Sequence, residues 1–328
     1  ALITKFLTII ESMEKIVLNA CGVKSKGGIT ILKNLINEVD NVDFFLLYDN
    51  HELENHLNGI KKLYINYPRF THPILNILIN KQNLEKINSY DKIIHLGNFG
   101  FKTKNYSYTF IQNILPLVSP YSSLRNFILK LLYLYSFRIS DEIIVQQKHV
   151  SDLIPYSFKK KIIGNTLIKM VEQSKNEGFV VIFDDVKNKN PNFLIKLILE
   201  LAKKNNTVDV ICSTPKSQKL FNKIGTNSNV NYFENIKNEE VLSIFKNNRC
   251  YVHTSKYETV GLPIYEALES GLKVVVPDEN YIPLENDNIF KYTLSNIDSA
   301  FEACMKANDV TSPEKLEVPV YSENWDLI

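Results

Sequence analysis

Short runs of β-branched and aromatic residues, each bounded by polar or glycine positions, alternate along the chain with stretches whose apolar residues recur at helical spacing. After Met13, Lys15–Ala20 reads as a buried strand through Ile16, Val17 and Leu18, followed by a glycine-containing stretch from Cys21 to Gly28. Ile29–Val39 then places Ile29, Ile31, Leu32, Leu35 and Ile36 at helical spacing. Further strands are predicted at Asp43–Leu47, Lys62–Ile65, Lys92–His95, Thr109–Ile111 and Glu142–Val145, with helical segments between several of them. Alternation of this kind predicts an α/β fold, a parallel sheet covered by helices on both faces.

The second half repeats the pattern. Strands are predicted at Phe179–Phe183, Val208–Cys212, Val230–Phe233, Cys250–His253 and Lys273–Val276. Helices at Phe193–Lys203, Ser217–Ile224, Asn238–Lys246 and Ile264–Ser270 separate them. The polar stretch Ile162–Gly178, with Gly164 and Gly178, interrupts the pattern and marks the join. Ser122–Arg138 is apolar around much of a helix and carries Arg125, Lys130 and Arg138. Two readings are open for it: a helix buried in the first domain, or a surface helix that touches an anionic membrane with its basic tips reaching the headgroups.

Composition narrows the classes. A chain of 328 residues, 45% hydrophobic and 23% charged, is long enough for two domains with their own cores, which excludes a disordered or disulfide-stapled protein. The net charge of +2 argues against a nucleic-acid partner. Cys21, Cys212, Cys250 and Cys304 form no CxxC pair, so structural zinc and a disulfide framework are not expected, and a cytoplasmic location is. No apolar run is long enough for a membrane span. Ala1–Ser12, with Lys5 its only basic residue, reads as an upstream extension rather than a signal peptide, and Lys159-Lys160-Lys161 as a solvated turn.

The strongest chemical signal runs from His253 to Gly271, directly after a predicted strand and into a helix beginning near Pro263. Val260, Gly261 and Leu262 would present backbone N–H groups at that helix start, a site suited to a diphosphate. Glu258 before the helix and Glu266 within it are carboxylates able to accept several hydrogen bonds from sugar and ribose hydroxyls. This stretch, Glu-Thr-Val-Gly-Leu-Pro-Ile-Tyr-Glu-Ala-Leu-Glu-Ser-Gly, closely resembles that of retaining glycosyltransferases of family 4, in particular enzymes that build bacterial surface polysaccharides such as lipopolysaccharide, O-antigen and capsule.

The resemblance implies a GT-B fold, two Rossmann-like α/β domains facing an interdomain cleft. Residues 13–170 would form an acceptor-binding domain, 171–312 a domain binding the nucleotide sugar, and 313–328 a segment returning to the first, with Asn324-Trp325 opening its last helix. It implies catalytic roles for Glu258 and Gln112 and donor binding by Gly27, Gly28, Lys189, Val260, Gly261, Leu262 and Glu266. Asn98 and Asn113 would face the acceptor. Gly27-Gly28 matches the family's glycine-rich loop, although a plain tight turn explains such a pair equally well. Gln112 stands where the wider family often has a histidine, which leaves His95 as a strand-end residue.

The phosphate clamp departs from the family pattern. Lys189 matches the usual lysine, but the residues before it are Asp184-Asp185 rather than an arginine, and carboxylates repel a diphosphate unless they point away or are paired. That pair also admits a reading as metal ligands, without a second ligand cluster to complete it. The expected activity is transfer of a sugar from a nucleotide diphosphate sugar to a glycan or lipid-linked glycan, metal-independent and with no cofactor. Peripheral contact with the anionic inner face of the membrane is expected as well. The alternatives are a non-catalytic GT-B partner subunit and another GT-B enzyme such as a nucleotide-sugar epimerase.

Overall fold

The computed structural model describes residues 14–39, 42–57, 59–66, 81–118, 124–174, 176–212, 227–282, 285–310 and 315–327. The chain divides into two units: one runs to Gly164 and resumes at Glu323, and the other holds Asn165–Ser322.

The first unit contains β1 (Glu14–Asn19), α1 (Lys26–Glu38), β2 (Val42–Tyr48), β3 (Lys61–Tyr64), α2 (Lys81–Ile87), β4 (Lys92–His95) and β5 (Tyr106–Ile111). It continues through α3 (Leu115–Val118), α4 (Leu124–Ile139), β6 (Glu142–Val145), α5 (Lys148–Leu153) and β7 (Lys160–Ile162). Its strands form one parallel sheet in the order β3-β2-β1-β4-β5-β6-β7. Successive residues of a strand point to opposite faces. Accordingly Leu18 and Leu46 join one core with Leu32 and Leu35 of α1, while Val17, Phe45 and Leu47 join the other. That double burial is why the central strands read as unbroken apolar runs.

The second unit contains β8 (Gly164–Glu172), β9 (Phe179–Phe183), α6 (Pro191–Lys203), β10 (Val208–Cys212), β11 (Val230–Glu234), α7 (Asn238–Lys246) and β12 (Cys250–Val252). Then come α8 (Leu262–Glu269), β13 (Lys273–Pro277), β14 (Ile289–Tyr292), α9 (Ile297–Asp309) and β15 (Lys315–Glu323). The order β11-β10-β9-β12-β13-β14, again parallel, repeats that of the first six strands of the first sheet when strands are counted within each sheet. In both sheets the order reverses between the first and fourth strands, β1 and β4 in one, β9 and β12 in the other. In open α/β sheets such a reversal, at the carboxyl ends of the strands, is where ligands bind.

Several sequence expectations shift. The boundary falls at 164/165 rather than 170/171, because Gly164–Glu172 is a strand paired with β15 in a two-stranded sheet. For the same reason residues 315–322 group with the second unit, and only the chain from Glu323 on groups with the first. Lys160 and Lys161 lie in an edge strand, not a solvated turn: the Lys160 ammonium donates to the carbonyls of Ser151 and Ile154 at 3.1 Å each, satisfying the end of α5. The closing Trp325–Leu327 is a 3₁₀ turn, and Trp325 is buried in the first unit's core with its ring 5.6 Å from Phe110. The helix expected at Ser217–Ile224 and the extension Ala1–Ser12 lie outside the described residues. All four cysteines are buried free thiols.

Helix α4 has two unlike faces. Tyr133, Ser136 and Phe137 are buried, and the Ser136 hydroxyl accepts a hydrogen bond from the Gly100 amide at 3.0 Å. Leu124, Phe127, Ile128, Leu131 and Tyr135 are exposed, Leu124 at 76%. Among the described residues no helix is long and apolar enough to cross a membrane.

Candidate functional site

Each unit gathers its own share of the predicted residues at the carboxyl ends of its strands. In the first unit, Asn19 ends β1 opposite His95 at the end of β4. The Asn19 side-chain oxygen accepts from the Cys21 amide at 3.2 Å, and its amide nitrogen donates to His95 Nδ1 at 3.0 Å. The His95 proton therefore sits on Nε2. Burial holds this imidazole neutral, its pKa lowered to about 3 even though the Phe101 backbone acts the other way. His95 is thus a core residue that ties two strand ends together. Gly97 follows it where a Cβ would fall 2.4 Å from the Cys21 carbonyl oxygen, so only glycine lets the β1 and β4 loops approach this closely.

Gly27 and Gly28 lie in the first turn of α1 and not in the loop before it. Ser25 is the N-cap, its hydroxyl accepting from the Gly28 amide at 3.1 Å, so the helix begins at Lys26. The side chain of Gln112 lies over this turn: a Cβ on Gly28 would stand 2.8 Å from Gln112 Oε1. A Cβ on Gly27 would meet nothing within 4 Å. Asn98, in the left-handed region at φ 68°, accepts from the amides of Gln112 at 2.6 Å and Asn113 at 2.9 Å. Its side-chain oxygen is thereby committed to shaping the β5–α3 loop. Asn113 accepts from the Leu115 amide at 3.0 Å, and its own carbonyl accepts from the Tyr133 hydroxyl at 2.7 Å.

In the second unit the loops after β9 and β12 are stitched together. Thr254 donates through its hydroxyl to the Lys189 carbonyl at 2.9 Å, and the Lys256 amide donates to the Asn188 carbonyl at 2.7 Å. These bonds bring Lys189 to Glu258, where ammonium and carboxylate form a hydrogen-bonded ion pair. The Glu258 side chain is only 15% exposed. Burial by itself would raise its pKa, but Lys189, His253 and a hydrogen bond from the Ser255 side chain outweigh that and hold it below the ordinary carboxylate value. Glu258 is therefore ionised at neutral pH.

Helix α8 starts immediately beyond. Gly261 is its N-cap at φ 76°, a left-handed conformation suited to glycine, and no side chain caps the helix. The amides of Val260, Gly261 and Leu262 stand at this uncapped positive end. The Val260 side chain itself belongs to the core, so its part in any ligand contact is that of its backbone. Glu266 lies on the exposed side of α8, its pKa raised by partial burial and by neighbouring Glu269. Among the described residues no cluster of three His, Cys, Asp or Glu side chains is arranged to hold a metal, at Asp184-Asp185 or elsewhere.

His253 is the residue that sequence reasoning passed over. It opens the quoted stretch, but its place was legible only as the end of a strand. In the structure it is 4% exposed, with Nδ1 3.0 Å from the Tyr251 hydroxyl and Nε2 3.6 Å from Glu258 Oε1.

Residues 168–286, inside the second unit, match the family model described as Glycosyl transferases group 1. No curated protein matches the sequence. Among solved structures, the sucrose-phosphate synthase of Thermosynechococcus elongatus is similar at 11% identity over 89% of each chain, with a TM-score of 0.68. The Anabaena protein HepE in complex with UDP-glucose is similar at 15% identity over 90% of each chain, TM-score 0.68. WaaG, a glycosyltransferase involved in lipopolysaccharide biosynthesis, is similar at 13% identity over 90% of each chain, TM-score 0.64. Identities this low establish the fold alone. The chain has the GT-B fold of these proteins, and its second unit carries the match to glycosyl transferases group 1.

Proposed function

We propose that this protein is a retaining glycosyltransferase. It moves a sugar from a nucleotide diphosphate sugar to a glycan or lipid-linked glycan acceptor in bacterial surface polysaccharide biosynthesis. The observation that carries the reading is the uncapped start of α8 at Gly261, beside the Lys189–Glu258 ion pair, within the segment matching glycosyl transferases group 1. A similar fold binds UDP-glucose in HepE.

In this reading the bond from the anomeric carbon to the diphosphate oxygen breaks, and its electron pair leaves with the diphosphate. The amides of Val260, Gly261 and Leu262 and the Lys189 ammonium receive that growing negative charge. Donors fixed in place before the reaction stabilise it without reorganisation. Glu258, ionised, holds sugar hydroxyls near the reacting carbon, and Glu266 holds the ribose. The acceptor hydroxyl oxygen bonds to the anomeric carbon with retention, and its proton passes to the departing diphosphate oxygen. With the amides and Lys189 meeting the leaving charge, the transfer calls for no metal ion or cofactor.

The first unit serves the acceptor through Asn98 and Asn113, while the Gly27-Gly28 turn adds to the contacts of the donor diphosphate and Gln112, over that turn, acts at the reacting sugar. The exposed apolar face of α4, whose helix has three basic residues and no acidic one, would rest on an anionic membrane near a lipid-linked acceptor.

A thermal-shift series with UDP, GDP, CDP and TDP and their common sugars, each with and without EDTA, tests the donor site. A ligand that binds the native state raises the melting temperature by mass action. A rise with one nucleotide that EDTA leaves unchanged is expected. No rise with any would turn the reading toward a non-catalytic partner, the alternative that Asp184-Asp185 in place of an arginine favours.

A further inference from the structure

The Lys189 ammonium has two anionic claimants once the donor site is read as above, the Glu258 carboxylate and the incoming diphosphate. Only the first is met in the structure. Turning Lys189 toward the diphosphate would leave Glu258 a buried carboxylate without its main counter-charge, which is strongly unfavourable. Besides the neutral Ser255 hydroxyl, the carboxylate has His253 beside it, with Nε2 3.6 Å from the same Glu258 oxygen that Lys189 holds and able to take up a positive charge. Among the described residues Nε2 has no hydrogen-bond partner, although the ring is buried. Leaving such an atom unsatisfied costs stability.

The surroundings of His253 prepare it to act as a donor on that side. The Tyr251 hydroxyl lies 3.0 Å from Nδ1 and, kept protonated by burial, is able to donate to it; the Glu258 charge on the other side favours the tautomer with the ring proton on Nε2. Tyr292 donates to the His253 carbonyl at 2.9 Å, and the Tyr281 ring lies edge-on at 6.2 Å while its hydroxyl bonds the Ser255 carbonyl. The loop is thus pinned from β14 and from the turn after β13, which holds the imidazole beside Glu258. Among the described residues, Lys189, Glu258 and these three tyrosines are the titratable groups that face it.

We propose that His253 is a positioning residue that takes over the Glu258 carboxylate when Lys189 engages the donor's diphosphate. The handover keeps Glu258 ionised and aimed at the sugar throughout binding. It rests on the donor-site reading of Lys189 and Glu258 given above. It also has a proton signature. In the free protein burial lowers the His253 pKa to about 4, with Glu258 raising it and Lys189 lowering it. Withdrawing the Lys189 charge while Glu258 stays removes the opposing influence, so His253 takes up a proton more readily.

The test is the titration of the His253 ring by NMR, assigned by comparison with His253→Gln, in the full chain and in Lys189→Met. Each is measured alone and with saturating UDP, GDP, CDP or TDP. The handover predicts that Lys189→Met moves the His253 midpoint upward by about one pH unit or more. It also predicts that the binding nucleotide does the same to the unaltered protein. His253→Gln, which keeps a donor but cannot charge, should retain binding and lose the proton uptake. An unmoved midpoint in Lys189→Met overturns the proposal even where a nucleotide binds. So does a nucleotide that binds without moving the midpoint, since Lys189 then never leaves Glu258. A shift in Lys189→Met with no nucleotide binding overturns the donor-site reading instead, and the handover falls with it.

Discussion

His95 should make the first unit sensitive to mild acid by an amount that follows from its burial. In the folded unit its imidazole stays neutral down to about pH 3, whereas in an unfolded chain it protonates near 6.5. The folded pKa is the depressed one, so its contribution is complete above pH 6.5 and is lost as the pH falls toward the folded value. Between about pH 7.5 and 5 the unfolded imidazole gains a proton that the folded one refuses, over about 1.5 pH units. The loss is therefore about 2 kcal/mol, and it hardly depends on where below pH 4 the folded value lies. The assay is urea unfolding followed by tryptophan fluorescence. The chain's one tryptophan, Trp325, is packed in the core of the unit that contains His95, so it reports that unit. The control is His95→Asn, whose side-chain oxygen can still accept from Asn19 but cannot titrate. It should be less stable at pH 7.5, having lost the ring that packs 4.7 Å from Phe101. It should also lose about 2 kcal/mol less than the parent between pH 7.5 and 5. Equal pH slopes in the two proteins would refute the argument.

Four further outcomes follow from the same geometry. Glu258→Gln should fold and lose turnover by about 10²-fold or more, read in a donor-consumption assay. Gly261→Ala forces an alanine to φ 76° with its Cβ 3.1 Å from Ile264, and should cost about 1–2 kcal/mol and shrink the nucleotide-induced thermal shift. Lys273 is wholly buried in β13 and donates to the carbonyls of Ala307, at 3.0 Å, and Val310 at the end of α9. Lys273→Met should therefore cost about 2 kcal/mol in denaturant unfolding. Neutralising Lys130 and Arg138 should reduce sedimentation with anionic vesicles. Unchanged sedimentation would leave α4 without a membrane role.

The sequence exposed what carries a strong periodic signal. Phe179–Phe183 is a continuous apolar run because both sheet faces are covered, Val208–Cys212 is broken only by the half-buried Asp209, and the bounds of both agree with the structure. Helix α9 escaped notice because its buried face is Ala300, Ala303, Cys304 and Ala307, small residues that pack closely but barely register as hydrophobic. Strand β8 escaped because Thr166, Leu167, Ile168 and Lys169 are all exposed, leaving no alternation between an inner and an outer face. At the candidate site, the Glu258 to Glu266 stretch was visible as a motif on one continuous segment. The stitching of Asn188 and Lys189 to Thr254 and Lys256 was not. It joins segments about 65 residues apart through backbone carbonyls that any sequence would supply. His253 went unassigned for the same reason, because its meaning lies in the 3.6 Å to Glu258 rather than in its neighbours along the chain.

The placement of Trp325 in the first unit's core sets an order of events in time. That core is assembled from strands ending at β7, yet it lacks its largest side chain until the whole second unit, roughly 160 residues, has been synthesised. At translation speeds of roughly 5–20 residues per second the wait is on the order of 10–30 s. The second unit carries a comparable debt, since β8, its first strand, pairs with β15, its last, and Leu316 and Val318 of that strand complete one of its cores. Both waits end within a few residues, because Trp325 follows β15 directly, so one short stretch of chain supplies the missing parts of a core in each unit.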